Sequence, residues 1–180
     1  QALSSCAVRG YVGYDFSDAA LAHARRNLAS LDCAVRLHRG DLLDGLRSQN
    51  EKFDMIFTSF ALHHLLSAKK FEFFQTAAER LSDNGIILVI DTFRDGDETR
   101  ELYLDRYCAW LGSRCQTITE HALNLLFEHI RSCDFPESAD DLSQMAGEAG
   151  LNFKTKINQV RWHQSWSYER GVQRGAETSR

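Results

Sequence analysis

Proline, paired cysteines, basic charge and long apolar runs are what this sequence is short of. There is one proline, Pro136, in 180 residues. The five cysteines, Cys6, Cys33, Cys108, Cys115 and Cys133, are odd in number, scattered and never spaced as Cys-x-x-Cys. That pattern argues against a disulfide framework and a zinc knuckle, and with no Asn-x-Ser/Thr sequon it predicts reduced thiols in a cytoplasmic protein. No apolar run approaches a membrane span; "IILVI" from Ile86 is only strand length, so a soluble chain without a membrane partner is expected. Twenty-one basic against 25 acidic residues give a formal charge of -4. A global electrostatic footprint for nucleic acid is therefore missing. No signal peptide is visible, and because the first residue is Gln1 rather than Met, a segment upstream of it is expected.

What is present fits one domain, 1–180, with enough apolar residues for a core. From Gly10 to Ile90 strand-like and helix-like stretches alternate, the pattern of a parallel sheet with crossover helices. "YVGYD" precedes a helix over about Ser17–Ala29, with Ala20, Leu21, Ala24 and Leu28 on one face and Ser17 placed to cap it. "AVRLHRGD" alternates Val35 and Leu37 against Arg36 and His38, as a strand near a sheet edge would. "FDMIFTSF" is the third strand, and "ALHHLLSA" opens a helical region reaching Leu81. Asp83-Asn84-Gly85 supplies turn chemistry before "IILVIDTF". Each strand ends on a polar residue, and in open α/β sheets ligands sit beyond the carboxyl ends of strands.

After Asp91 the texture turns helical, with an insertion over residues 95–135. "TITEHALNLLFEHIRSC" opens with Thr117 and Glu120 in capping-box spacing and places Ile118, Ala122, Leu125, Leu126 and Ile130 on one stripe. Ser138 is placed to cap a further helix ending near Gly150. "LNFKTKI" and "QVRWHQSW" read as a closing antiparallel strand pair, in which Trp162 and Trp166 alternate as packing residues.

Four of these pieces, in order and spacing, resemble the class I S-adenosylmethionine-dependent methyltransferases: "GYVGYDFSDAALAHA", "HRGDLLDGL", "KFDMIFTSFALHHL" and "LSDNGIILVIDTF". The resemblance runs from about Gly10 to Val160. It implies an α/β, Rossmann-like, doubly wound and mostly parallel sheet of order 3-2-1-4-5-7-6. Members carry a glycine-rich loop between the first strand and first helix, and here only "QALSSCAVR" precedes the strand that corresponds to the second. The chain thus reads as an N-terminally incomplete version of a longer protein, expected to bind the cofactor poorly as given. The other explanation is a degenerate, non-catalytic member.

Methyl transfer from a sulfonium needs donor and acceptor held in near-attack geometry, so cofactor residues should be more legible than a base. The resemblance implies S-adenosylmethionine as cofactor, with Asp15 accepting both ribose hydroxyl protons; its plain role would be a helix cap. Phe16 either offers an apolar face to the adenine or is core. Asp41 and Leu42 are placed for the adenine amino group and a ring nitrogen, unless Asp41 merely caps "LLDGL". Ser59, and with it Phe60, should lie near the methionine part. His64 is the candidate general base, against the more ordinary role of anchoring its turn. A metal reading of His63-His64 is disfavoured, because adjacent helical histidines diverge and no carboxylate completes an arrangement. Asp91, Arg94, Tyr103 and Tyr107 are the expected substrate-binding residues, the last two in a lid formed by the helical insertion with Trp110, His121 and His129.

The function so implied is methyl transfer to a small-molecule acceptor. Two other readings stay open: a methyltransferase-like scaffold without catalysis, and a nicotinamide-dependent oxidoreductase, since an acid at the second strand tip also serves that fold. The absence of a Tyr-x-x-x-Lys pair speaks against the oxidoreductase. The acceptor's identity and the oligomeric state are not legible in the sequence.

Overall fold

The computed structural model describes residues 7–115 and 117–171, which fall into two compact units dividing between Asn50 and Glu51. The first contains β1 (Gly10–Asp15), α1 (Asp18–Asn27), β2 (Ala34–Arg39) and α2 (Leu42–Arg47). The strands pair in parallel, from Gly10 opposite Ala34 to Asp15 opposite Arg39. Val35 and Leu37 are half-buried while Arg36 and His38 are exposed, as their alternation predicts. Ser17 caps α1, its hydroxyl accepting the Ala20 N–H at 3.2 Å. Tyr14 lays its ring on α2 at Gly45, where a Cβ would come within 2.5 Å of the ring. Only glycine leaves room there. The Tyr14 hydroxyl also accepts from Gln49 Nε2 at 2.6 Å, so strand and helix are fastened at one point.

The second unit runs β3 (Phe53–Ser59), a 3₁₀ turn (Leu62–His64), α3 (Ser67–Arg80), β4 (Leu81–Thr92), α4 (Arg100–Arg114), α5 (Glu120–Cys133), α6 (Ala139–Glu148), β5 (Leu151–Val160) and β6 (His163–Arg170). Its sheet has the order β3-β4-β6-β5. β3 and β4 are parallel, and β6 is antiparallel to both β4 and β5, so three strands run one way and one against them. Phe73, Phe74, Leu81, Ile87, Val89, Leu151 and Tyr168 form the core beneath the sheet, each at most 2% exposed. This is the α/β, Rossmann-like, mostly parallel architecture expected, with its helical insertion and closing strand pair. Among the described residues no helix is long and apolar enough to cross a membrane. Cys33, Cys108, Cys115 and Cys133 are free thiols; Cys6 lies outside the described residues.

Several local expectations fail for identifiable reasons. The helix predicted from Ala61 is a 3₁₀ turn that stops before α3: the Asp91 carboxylate caps its start by accepting the N–H groups of Leu62 and His63, Leu65 is extended, and the His63 carbonyl that would carry the helix on accepts the Phe135 N–H instead. Thr119, not Thr117, caps α5, accepting the Ala122 N–H at 3.3 Å. On the predicted α5 stripe Ile130 is buried, whereas Ile118 and Leu125 are 41% and 53% exposed. The closing hairpin turns at Arg161-Trp162, with Arg161 at φ 55°, so Gln159 and Val160 belong to β5. Trp162 therefore sits in the turn rather than in a strand, and is buried against Tyr103 and Tyr107. Ser138 caps α6 as expected, and Gly150 follows it at φ 83°.

Candidate functional site

In the first unit the parallel register brings the ends of β1 and β2 side by side, linked by the Gly40 N–H donating to the Asp15 carbonyl at 3.2 Å. Asp15 is exposed at the strand end, and its Oδ1 accepts the Ser17 N–H at 2.7 Å. That bond shapes the turn into α1 and leaves the cap itself to Ser17. Phe16 is 66% exposed, so it is not core. Asp41 caps α2, one oxygen accepting the N–H groups of Leu43 and Asp44 at 2.7 and 3.0 Å. The Leu42 N–H, in the first turn of α2, has no acceptor among the described residues. The structure thus brings Asp15, Phe16, Asp41 and Leu42 to one end of one small sheet.

In the second unit β3 ends at Ser59, which is exposed. Phe60 follows in the left-handed region at φ 48°, held there by its N–H bond to Ile90 at 2.8 Å. A non-glycine residue in that conformation stores strain, and such strain clusters at ligand sites. Beyond it, the 3₁₀ turn presents His63 buried and His64 half-exposed, with ring centroids 4.0 Å apart. The expected divergence of the two rings is wrong, because it assumed an α-helix. Both rings face Asp134, whose Oδ1 lies 3.2 Å from His64 Nδ1 and 3.8 Å from His63 Nε2. The carboxylate held to be missing is supplied from the end of α5.

The expected substrate-binding residues are placed differently. Asp91 is 2% exposed, and its carboxylate is filled by the N–H groups of Leu62, His63 and Thr92 and by His63 Nδ1 at 2.5 Å. It builds the turn rather than meeting a substrate. Arg94 donates to Asp141 at 2.7 Å and to the Glu98 carbonyl at 3.0 Å, a structural ion pair. Tyr103 is 1% exposed, in one cluster with Leu104, Cys108, Ile130 and Trp162; burial raises its pKa. Its hydroxyl lies near Thr92 without a hydrogen-bond partner among the described residues. Tyr107 belongs to the same cluster, and its hydroxyl meets His163 Nε2 at 3.0 Å. Both tyrosines are buried packing residues of this cluster, which does not support their assignment to a substrate surface.

Residues 2–85 match a family described as "Methyltransferase domain". The strand orders agree with it: β2-β1 corresponds to the 3-2 part of the order the resemblance implies, and β3-β4-β6-β5 to its 4-5-7-6 part. The fold is that of the class I methyltransferases, and the family likeness in sequence lies in residues 2–85. Solved structures with the same fold include an O-methyltransferase family 2 protein from Planctomyces limnophilus in complex with apigenin, with TM-score 0.63 and 19% identity over 93% of this chain and 44% of that one. An S-adenosylmethionine-dependent methyltransferase from Clostridium acetobutylicum aligns with TM-score 0.58 and 12% identity over 91% of this chain and 84% of that one. The cyclopropane synthase MmaA2 from Mycobacterium tuberculosis gives 0.57 and 19%, over 86% and 50%. At such identities the likeness is one of fold. This chain spans less than half of the O-methyltransferase and half of the synthase. No curated protein sequence matches it significantly.

Two residues of the second unit that the sequence pattern did not signal are Asp134 and His163. Asp134 raises the pKa of His64 above the usual histidine range, assisted by the Cys133 carbonyl and opposed by burial. A proton held more tightly makes His64 a poorer base near neutrality, and its bond to Cys133 fits the anchoring role. His163, at the start of β6, packs edge-on against Phe60 at 5.1 Å and bonds Tyr107; burial lowers its pKa. Both lie so far along the chain from their partners that no local pattern signals them.

Proposed function

We propose that this methyltransferase domain uses S-adenosylmethionine as methyl donor and serves a small-molecule acceptor. The observation that carries this is the register that sets Asp15 beside the Asp41 turn at one strand end. The donor set there suits a nucleoside. One Asp15 oxygen is committed to Ser17, and the other has no partner among the described residues. It can accept from ribose hydroxyls, while exposed Phe16 offers an apolar face and the Leu42 N–H can meet a ring nitrogen. Asp41 fixes the direction of that N–H by capping α2.

When bound, S-adenosylmethionine supplies a methyl group already activated on sulfur, so the chain's own residues have to orient and to exclude water. His64 is assigned a positioning role on its turn. The 95–135 helices are assigned to the acceptor side. Support for the acceptor class comes from fold relatives, one solved with apigenin and another a mitomycin 7-O-methyltransferase, and support for the donor from the LepI structure, which holds S-adenosylmethionine.

Calorimetric titration of the full-length protein with S-adenosylmethionine tests the reading. Asp15→Asn keeps the acceptor for Ser17 but removes the second carboxylate oxygen. It should weaken binding at least tenfold, about 1.4 kcal/mol or more, with an unchanged circular dichroism spectrum. Equal affinity in wild type and variant would remove Asp15 from the site, and no binding by the wild type would remove the cofactor.

A further inference from the structure

His63, His64 and Asp134 converge in a way that ribose or adenine recognition does not need. We propose that they form a binding site for a divalent transition-metal ion of the zinc class, with Asp91 as the supporting carboxylate behind His63. One ligand atom from each of the three lies within 4.8 Å of the others. Bonds of about 2.0–2.2 Å at tetrahedral angles set neighbouring donors roughly 3.3–3.6 Å apart. The separations of 3.2 Å to His64 Nδ1 and 3.8 Å to His63 Nε2 from Asp134 Oδ1 bracket that spacing, and on binding His64 Nδ1 exchanges its proton and its 3.3 Å bond to the Cys133 carbonyl for the ion. Two imidazoles and a carboxylate are donors that suit zinc or iron(II) and leave a coordination position for water.

Asp134 is the independent observation. It is 6% exposed, and its Oδ1 makes no well-formed hydrogen bond among the described residues, with His64 Nδ1 standing 3.2 Å away. A buried carboxylate oxygen without a partner is costly, and a cation between it and the two rings removes that cost. The surrounding structure also holds the donors in place. Asp91 grips His63 Nδ1 and so aims Nε2 at Asp134, the carboxylate–histidine arrangement that commonly stands behind metal ligands. The Arg100 guanidinium holds the Asp134 carbonyl at 2.7 Å, and the Phe135 N–H bonds the His63 carbonyl at 2.6 Å. Solvent reaches the cluster past His64, whose side chain is 43% exposed.

Cobalt(II) titration of the full-length protein, followed by visible absorption and competed with zinc, reads the site directly. One cobalt per chain is expected, with ligand-field bands of low coordination number and no thiolate charge-transfer band. Asp134→Asn and His64→Gln should each weaken binding at least tenfold with unchanged circular dichroism. Zinc should raise the melting temperature of the wild type and not of Asp134→Asn. A thiolate band would move the ion to a cysteine and overturn the proposal, as would equal affinity in both variants. No binding would mean that Asp134 is simply the counter-charge of a protonated His64.

Discussion

Replacing Asp91 by alanine should unfold the second unit far more readily while saying nothing about substrate. The carboxylate accepts four hydrogen bonds at 2.5–3.4 Å in a site 2% exposed to solvent. Alanine orphans three buried backbone N–H groups and one imidazole nitrogen. Each orphaned group costs about 1–3 kcal/mol, but they share one cavity and relax together. A total of roughly 3–5 kcal/mol, as for removing one partner of a buried charged pair, is the consistent expectation. Asparagine separates the contributions. Its carbonyl can keep Leu62 and His63 N–H, and His63 can change tautomer to accept the amide, leaving the Thr92 N–H facing a donor. About 2 kcal/mol should be lost in that variant. Trp110, Trp162 and Trp166 all lie in the second unit, so tryptophan fluorescence in urea reports its unfolding. With a slope near 2 kcal/mol per molar, Asp91→Ala should lower the midpoint by about 2 M. A loss under about 0.5 M would refute the structural role and restore Asp91 as a ligand of something outside the chain.

Three smaller predictions follow from the same packing. Tyr103→Phe removes a buried hydroxyl without a partner, so stability should hold or rise by up to about 1 kcal/mol; a clear loss in the same urea assay would show a hydrogen bond that the geometry does not contain. Gly45→Ala forces a methyl group to within 2.5 Å of the Tyr14 ring and should cost about 1–3 kcal/mol, visible as faster hydrogen exchange across α2. Burial pushes the Tyr107 and Tyr168 hydroxyls up to about 12 from 10.0. Their protonated forms thus stabilise the fold fully below pH 10, and this contribution is lost as the pH rises towards 12. Tyrosinate absorbance should therefore appear together with unfolding, and ionisation of both in a still-folded protein would refute the burial argument.

How much was legible depended on the range of the interaction. Val35 and Leu37, Ser17 before α1 and Ser138 before α6 act within a few residues, and the structure agrees with each. The 3₁₀ turn at His63 was not legible, because the carboxylate that caps its start is 28 residues away and the N–H that takes the His63 carbonyl belongs to Phe135. Asp134 was invisible for the same reason: His64 and Cys133, whose groups touch, are separated by 69 positions. The α4 aromatics were expected in a lid and are buried instead: a face packed on Trp162 differs from one lining a pocket only by what the last hairpin brings to it. Asp15 and Asp41 were legible as strand-end carboxylates, and the register shows them to be neighbours.

The strand order β3-β4-β6-β5 has a consequence for synthesis on the ribosome. β4 ends at Thr92, yet the strand that covers its open edge ends at Arg170, after the α4, α5 and α6 helices and β5 have been made. At about 5–20 residues per second, an apolar edge bearing Ile87 and Val89 waits roughly 4–16 s for its partner. Until then the nascent chain presents the kind of unpaired strand that chaperones bind, and a stall in translation before residue 163 would leave it open to pairing with a neighbouring chain.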